Sequence, residues 1–193
     1  MIVNQQTLRG IYLGFNTLFN RAFEEEKPLY TEIATVTPST TDSETYAWLG
    51  DIPGMREWIG DREIQNITAS DYTIKNKAFE QTVGVRGSDI EDDQYGVYQP
   101  LFQDLGNQAA IHPNQLVFTA LAGGHETPCF DKKPFFAKDH PVGETTASNL
   151  LAPSSNPKTP WYLLCTRRPI RPLIFQRRKP YNPVSYTHLT LPT

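Results

Sequence analysis

Residues 46–85 read YAWLGDIPGMREWIGDREIQNITASDYTIKNKAFEQTVGV and run directly into RGSDIEDDQYGVYQPLFQDLGNQAAIHPNQLVFTALAGG, residues 86–124. In the first part, residues 62–67 and 72–85 alternate polar and apolar side chains (Ile64, Asn66 against Ile67, then Tyr72, Ile74, Phe79, Val83, Val85), and Thr68 to Asp71 form a polar break. That pattern predicts two strands joined as a long hairpin. Its body holds few large hydrophobes and several charges, among them Lys75, Lys77 and Glu80. Such a hairpin is a poor core element for an isolated monomer, which predicts that it packs on a neighbour.

The second part is helical. Ser88 and Glu91 have capping-box spacing, yet Gly96 and Pro100 put the start of the regular helix near Pro100, since proline suits a first helical turn. Leu101, Phe102, Leu105, Ala109 and Ala110 make one apolar stripe, continued by Leu116, Val117, Ala120 and Leu121. Pro113 falls between the two runs and predicts a kink or two abutting helices, and Gly123 and Gly124 predict the stop.

Upstream, Thr7 suits an N-cap, and Leu8, Ile11, Tyr12, Phe15, Leu18, Phe19 and Phe23 recur at helical spacing until Pro28. Residues 32–45 are rich in Thr and Ser and show no apolar periodicity beyond Ile33 and Val36, which predicts an extended arm or linker. Far downstream, Leu173 to Phe175 lie between Pro172 and a basic run, which predicts a short buried strand with solvated ends.

The chain of 193 residues, 38% hydrophobic and 20% charged, has the composition of a globular protein that buries a core in one large or two small domains. Cys129 and Cys165 belong to no CxxC pair, so neither a disulfide framework nor a zinc knuckle is indicated and a reducing compartment is expected. The N-terminal MIVNQQTLRG lacks the basic and apolar regions of a secretory signal, and no apolar run approaches the ~18 residues of a membrane span, so synthesis and residence in the cytosol are expected. Charge is unevenly spread. All 21 acidic residues lie at or before Glu144 with 11 of the 18 Lys and Arg, a balance of −10, and the remaining 49 residues carry +7 and no acid. Six of those cations fall in RRPIRPLIFQRRK, residues 167–179. They fit a phosphate-binding patch, basic strand ends in water, or a contact with the acidic half of a neighbouring copy.

Cys129, Asp131, Asp139 and His140, with His125 nearby, are all possible metal ligands, and a metal-dependent hydrolase around Asp131 and His140 is one reading. The segment is dominated by Phe130, Phe135, Phe136 and Pro141 and lacks tightly paired ligands, so a structural loop is the simpler reading, with Asp139 bonding nearby backbone in a turn. No G-x-S-x-G elbow, P-loop, G-x-G-x-x-G or H-E-x-x-H is present, and the run Asp89, Glu91, Asp92, Asp93 reads as a solvated lead-in to the helix. The expectation is a protein without catalytic residues, metal or cofactor.

Several blocks, in order, carry a resemblance: the MIVN helix, YAWLG…MREWIGDR, NKAFEQTVGV, IEDDQYGVYQPLFQDLG, HPNQLVF, CFDKKPFFAKDHP and WYLL…RPIRPLIFQRRKP. Over residues 1–182 the chain resembles the major head subunit of Mu-like phages and prophages. That resemblance implies an α+β capsid protein of the Hong Kong 97 phage type, with an N-terminal helix and arm (1–45), an E-loop hairpin and its flanks (46–87), a peripheral-domain spine helix (88–124), and a sheet with the start of an axial domain (125–182). It further implies a structural, non-enzymatic subunit of the virion that self-assembles in the host cytoplasm into an icosahedral shell around double-stranded DNA. Other copies of the subunit, scaffold and portal proteins are the implied partners, and the DNA is held without sequence specificity. Subunit contacts are expected at Tyr72, Ile74, Lys75, Lys77 and Phe79 on the hairpin and at Leu101, Phe102, Leu105, Leu116 and Leu121 on the helix. The contrasting expectation is a nucleic-acid-binding protein that uses the basic segment. From about Pro183 the sequence PVSYTHLTLPT resembles a translated sequencing adapter, which implies an incomplete axial domain and a poorly stable monomer.

Overall fold

The computed structural model describes residues 4–46, 72–92, 94–142, 145–151, 159 and 161–185. Its helices are α1 (Gln5–Glu25), α2 (Gly87–Glu91) and α3 (Gln99–Ala122), and its strands are β1 (Ala34–Pro38), β2 (Ser43–Tyr46), β3 (Tyr72–Lys75), β4 (His140–Val142), β5 (Thr145–Ala147) and β6 (Leu173–Arg177). They fall into two compact units, one of residues 1–33, 78–117 and 179–193, the other of residues 34–77 and 118–178.

The first unit is built on α1 and most of α3. Helix α1 starts three residues ahead of the expected Thr7: Asn4 is the N-cap, and its side-chain oxygen accepts the Thr7 backbone N–H at 2.8 Å and the Thr7 hydroxyl at 2.9 Å. Asparagine caps at least as well as threonine, so the earlier position wins. The buried face is Phe15, Phe19 and Ala22. Phe15 stacks on Phe102 of α3 with centroids 4.0 Å apart. The helices meet at Gly106, where a β-carbon would run into the Phe19 carbonyl oxygen and the Ala22 methyl.

Helix α3 is continuous through Pro113, so it is one helix and not two abutting ones. Proline there forfeits one hydrogen bond, and tertiary contact next to it holds the turn: the Asn114 side chain accepts the Tyr30 N–H at 2.8 Å, and Val117 is buried. Helix α2 has no side-chain cap, so Ser88 and Glu91 form no capping box; the Ser88 hydroxyl donates to Asp89 at 3.2 Å, and the Tyr98 hydroxyl donates to the same carboxylate at 2.5 Å. The Tyr181 hydroxyl lies 2.9 Å from His112 Nδ1 and its ring stands edge-on to Phe23, while the Tyr12 hydroxyl donates to the Pro183 carbonyl at 2.9 Å.

Among its described residues the second unit contains three two-stranded sheets. Strands β1 and β6 pair in parallel, from Ala34 opposite Leu173 to Pro38 opposite Arg177. Within the stretch expected as an extended arm or linker, residues 34–38 and 43–46 are therefore extended and paired as strands. Thr, Val and Ser at those positions are good strand formers, and their partners lie too far along the chain to show in a local pattern. β6 confirms the strand expected around Leu173 to Phe175, with half-buried side chains. β3 pairs antiparallel with β2, Tyr46 opposite Tyr72. Of the long hairpin expected over residues 62–85, residues 62–71 lie outside the described residues, and the strand beginning at Tyr72 ends at Lys75. Asn76 ends it, for its side-chain amide donates to the Ser39 hydroxyl at 2.8 Å and to the Thr41 carbonyl at 2.7 Å.

Tyr46 ties the first two sheets together. It is buried, its hydroxyl lies 2.8 Å from the Thr37 hydroxyl, and it donates to Gln176 Oε1 at 2.8 Å. Gln176 in turn donates to the Ile74 carbonyl at 3.3 Å. The turn before β2 folds around Glu44, whose carboxylate accepts the Ser39 hydroxyl at 2.9 Å, the Thr40 N–H at 3.0 Å and the Thr41 hydroxyl at 3.0 Å. These donors, the Thr40 N–H first, hold the Glu44 carboxyl below its ordinary range.

Two outcomes are expected. Gly106→Ala adds intrinsic helix propensity, yet the carbonyl it meets belongs to a rigid helix, so the variant loses about 1–3 kcal/mol of stability, as overpacking does, measured by thermal unfolding under circular dichroism. Glu44 has a depressed folded pKa, so its stabilising contribution is present above its ordinary unfolded value and is lost as pH falls through the folded one. Denaturant midpoints measured from pH 7 downward should fall less steeply in Glu44→Gln than in the wild type.

Candidate subunit interface

The residues expected to make subunit contacts occupy three kinds of place. Tyr72 and Ile74 are half-buried on β3, and Lys75, with its side chain exposed, lies 3.8 Å from Asp42. Ion pairs so exposed contribute little stability. Lys77 is exposed and Phe79 is 48% exposed, its ring standing edge-on to His112 with centroids 4.5 Å apart. On α3, Leu101 is exposed, Phe102, Leu105 and Leu116 are half-buried, and Leu121 is 6% exposed, within the chain's own core.

The structure exposes further apolar side chains that periodicity did not single out. Val97, in the single 3₁₀ turn Tyr95–Tyr98, and Leu13 on α1 are open to solvent. In residues 161–166, WYLLCT, burial alternates along an extended backbone: Trp161 is 95% and Leu163 99% exposed, Cys165 is exposed, and Tyr162, Leu164 and Thr166 are half-buried. This segment forms no strand among the described residues. The sequence, an unbroken run of apolar residues through Cys165, shows neither the alternation in burial nor the absence of a ladder.

The loop after α3 is organised by side-chain bonds. The 3₁₀ turn Gly123–His125 follows α3, and Gly124 is buried against the Phe136 ring while its carbonyl accepts the Phe136 N–H at 3.0 Å. His125, Phe136 and Tyr162 stack as tilted rings, the last two 5.2 Å apart. The turn at Cys129–Lys133 places Lys132 at a φ of 65°. Asp131 there accepts the Lys133 N–H at 3.0 Å through one oxygen and meets His140 Nδ1 at 2.5 Å through the other. Asp139 pairs with the Lys133 ammonium, which more than any other group holds its carboxyl below the usual range, and the backbone at Asp139 itself adds a smaller contribution of the kind expected for a turn. Asp131 thus bonds His140 Nδ1 and Asp139 pairs with Lys133, while His140 Nε2 is buried without a hydrogen-bond partner, and no group of three metal-binding side chains converges among the described residues. Burial pushes the Cys129 thiol up, whereas Cys165 is exposed.

The exposed apolar surface on both units and the small, separately closed sheets fit a protein whose surface is completed by other chains, and the comparisons define that class. A chain from the procapsid of bacteriophage JBD30 matches with a TM-score of 0.79 at 45% identity, over 92% of this chain and 62% of that one. The JBD30 capsid decorated with minor capsid protein trimers matches at 44% identity with a TM-score of 0.59, over 80% of this chain and 50% of that one. The chain therefore has an α+β phage capsid fold. A model of the Mu-like prophage major head subunit gpT matches residues 8–191, past residue 182 where the recognised blocks end, and the chain belongs to that family. The major capsid protein of Escherichia phage Mu is 41% identical over 93% of this chain and 62% of its own length; the FluMu major head subunit of Haemophilus influenzae is 41% identical over 96% and 63%. The chain thus spans less than two thirds of the curated relatives it matches.

The two thiols should separate in a labelling experiment. With a maleimide or Ellman's reagent at neutral pH, Cys165 should react promptly and Cys129 markedly more slowly, its thiol being half-buried and its thiolate disfavoured. Equal rates would contradict the packing of the Cys129–Lys133 turn.

Proposed function

We propose that this chain acts as a major capsid subunit, joining other copies of itself in an icosahedral head that encloses double-stranded phage DNA. It assembles in the host cytoplasm, ends in the virion, and works with scaffold and portal proteins of the same head. It is a structural protein and turns over no substrate. The observation that carries the reading is the match to the JBD30 procapsid chain, 45% identical with a TM-score of 0.79. In support, Phe79 and Leu101 are exposed apolar side chains on separate segments, as expected of surface that a neighbour covers. Tyr72, Ile74, Lys75 and Lys77 on and after β3, with Phe102, Leu105 and Leu116 on α3, extend those contacts; many weak contacts of this kind add up when copies close symmetrically.

Light scattering and negative-stain microscopy of the purified protein, with and without a scaffold protein from a Mu-like phage, test the reading. Rings, capsomers or shells are expected as concentration rises. A species that stays monomeric under both conditions would overturn it.

A further inference from the structure

Arg167, Arg168, Arg171, Arg177, Arg178 and Lys179 flank β6 at both ends, and all but the half-buried Arg171 are exposed. Among the described residues none of the six takes part in an ion pair. Among the described residues of the same unit, four acids are engaged elsewhere, Asp42 with Lys75, Asp131 with His140, Asp139 with Lys133, and Glu44 with the donors of residues 39–41, and the exposed Glu126 forms no ion pair with the six. Six cations in a short stretch, unneutralised, repel one another and favour an anionic partner.

The complementary surface is in the chain itself. Helix α1 ends in Glu24, Glu25 and cap residue Glu26, all exposed, with no basic residue in its last turn. The C-terminal end of a helix carries negative partial charge from its free carbonyls, so carboxylates there are opposed by the dipole as well as by each other. Arg21, 2.9 Å from Glu25, answers one of the three. The same opposition of sign runs through the whole sequence, −10 up to residue 144 and +7 after it.

We propose that the basic ends of β6 dock on the acidic end of α1 in a second copy of the chain. This rests on the shell reading above and names one of its contacts. Two different patches meet, and where a copy engages a different neighbour through each, the contacts build rings and larger closed shells instead of stopping at a dimer. Charge complementarity of this kind sets register and speeds encounter, and it weakens as salt shortens the range of the field. Nucleic acid is the competing occupant of the cations; the acidic surplus of residues 1–144 argues against it, since a polyanion approaching the subunit would meet that charge too.

Charge reversal with exchange tests the contact. In light scattering and negative-stain microscopy, R177E/R178E should raise the protein concentration needed for assembly by about tenfold or more, and adding E24K/E26K, which leaves the Arg21–Glu25 pair in place, should restore assembly and so show that the reversed chain folds. If R177E/R178E assembles like the wild type, the contact is wrong and the shell reading stands. Failure of the exchange to restore assembly also overturns the contact, as does a variant that assembles normally but loses salt-sensitive retention of double-stranded DNA in a gel shift, which would assign the cations to nucleic acid. A wild type that never assembles overturns the shell reading and the contact together.

Discussion

The first unit depends on how closely α1 can approach α3. At Gly106 the helix backbones come near enough that the Phe19 carbonyl and the Ala22 methyl occupy the space a side chain would need. That approach lets Phe15 lie flat on Phe102 one turn away, the contact at the centre of this unit's core. With the two helices fixed, Asn114 reaches the backbone of Tyr30 and His112 reaches Tyr181, so the chain entering after Pro28 and the chain returning at Lys179 are both tied to α3. A single absent β-carbon thus sets the position of three segments, and the capsid-like character of the surface follows from what those segments leave uncovered.

Local pattern was legible and long-range pairing was not. The stripes of α1 and α3 were readable because a helix buries residues at spacings of three and four, and the Gly-Gly stop because glycine ends helices for reasons confined to one turn. The extended arm or linker read over residues 32–45 carries no sign of the pairing of β1 and β2, because a two-stranded sheet has no pattern of its own when its partner is far along the sequence, as Leu173 is from Ala34. β3 was read too long for a related reason: Asn76 ends it through bonds to Ser39 and Thr41, residues that no local window includes. The first helical residue moved because Asn4 and Thr7 compete for one cap, a difference of tenths of a kcal/mol that a pattern does not resolve.

For the candidate interface, sequence reasoning found residues of the right kind and only the structure sorted them. Leu121 belongs to the stripe that Leu101 begins, yet one is buried in the chain and the other exposed, because the stripe is wide and the chain covers only part of it. The exposure of Trp161 and Leu163 was not legible because WYLLC is apolar throughout, so nothing in its pattern separates the side chains that are half-buried from those that are bare. The loop at Asp131 and His140 shows the converse case: of the residues that read as metal ligands, Asp131 bonds His140 Nδ1 and Asp139 pairs with Lys133, a network that fixes a turn and leaves His140 Nε2 buried without a partner.

The parallel pairing of β1 with β6 has a temporal side. Ala34 leaves the ribosome long before its partner Leu173 exists, and at translation rates of several residues per second the wait is on the order of ten seconds. Throughout that interval β1 is an unpaired edge on a nascent chain, and so are the donors and acceptors that Tyr46 later gathers. Completed copies around it carry matching edges of their own. A subunit made to join its neighbours must therefore avoid joining them too early, and the order in which this chain is synthesised makes β6, near the end of the described sequence, the element that decides when the second unit is ready.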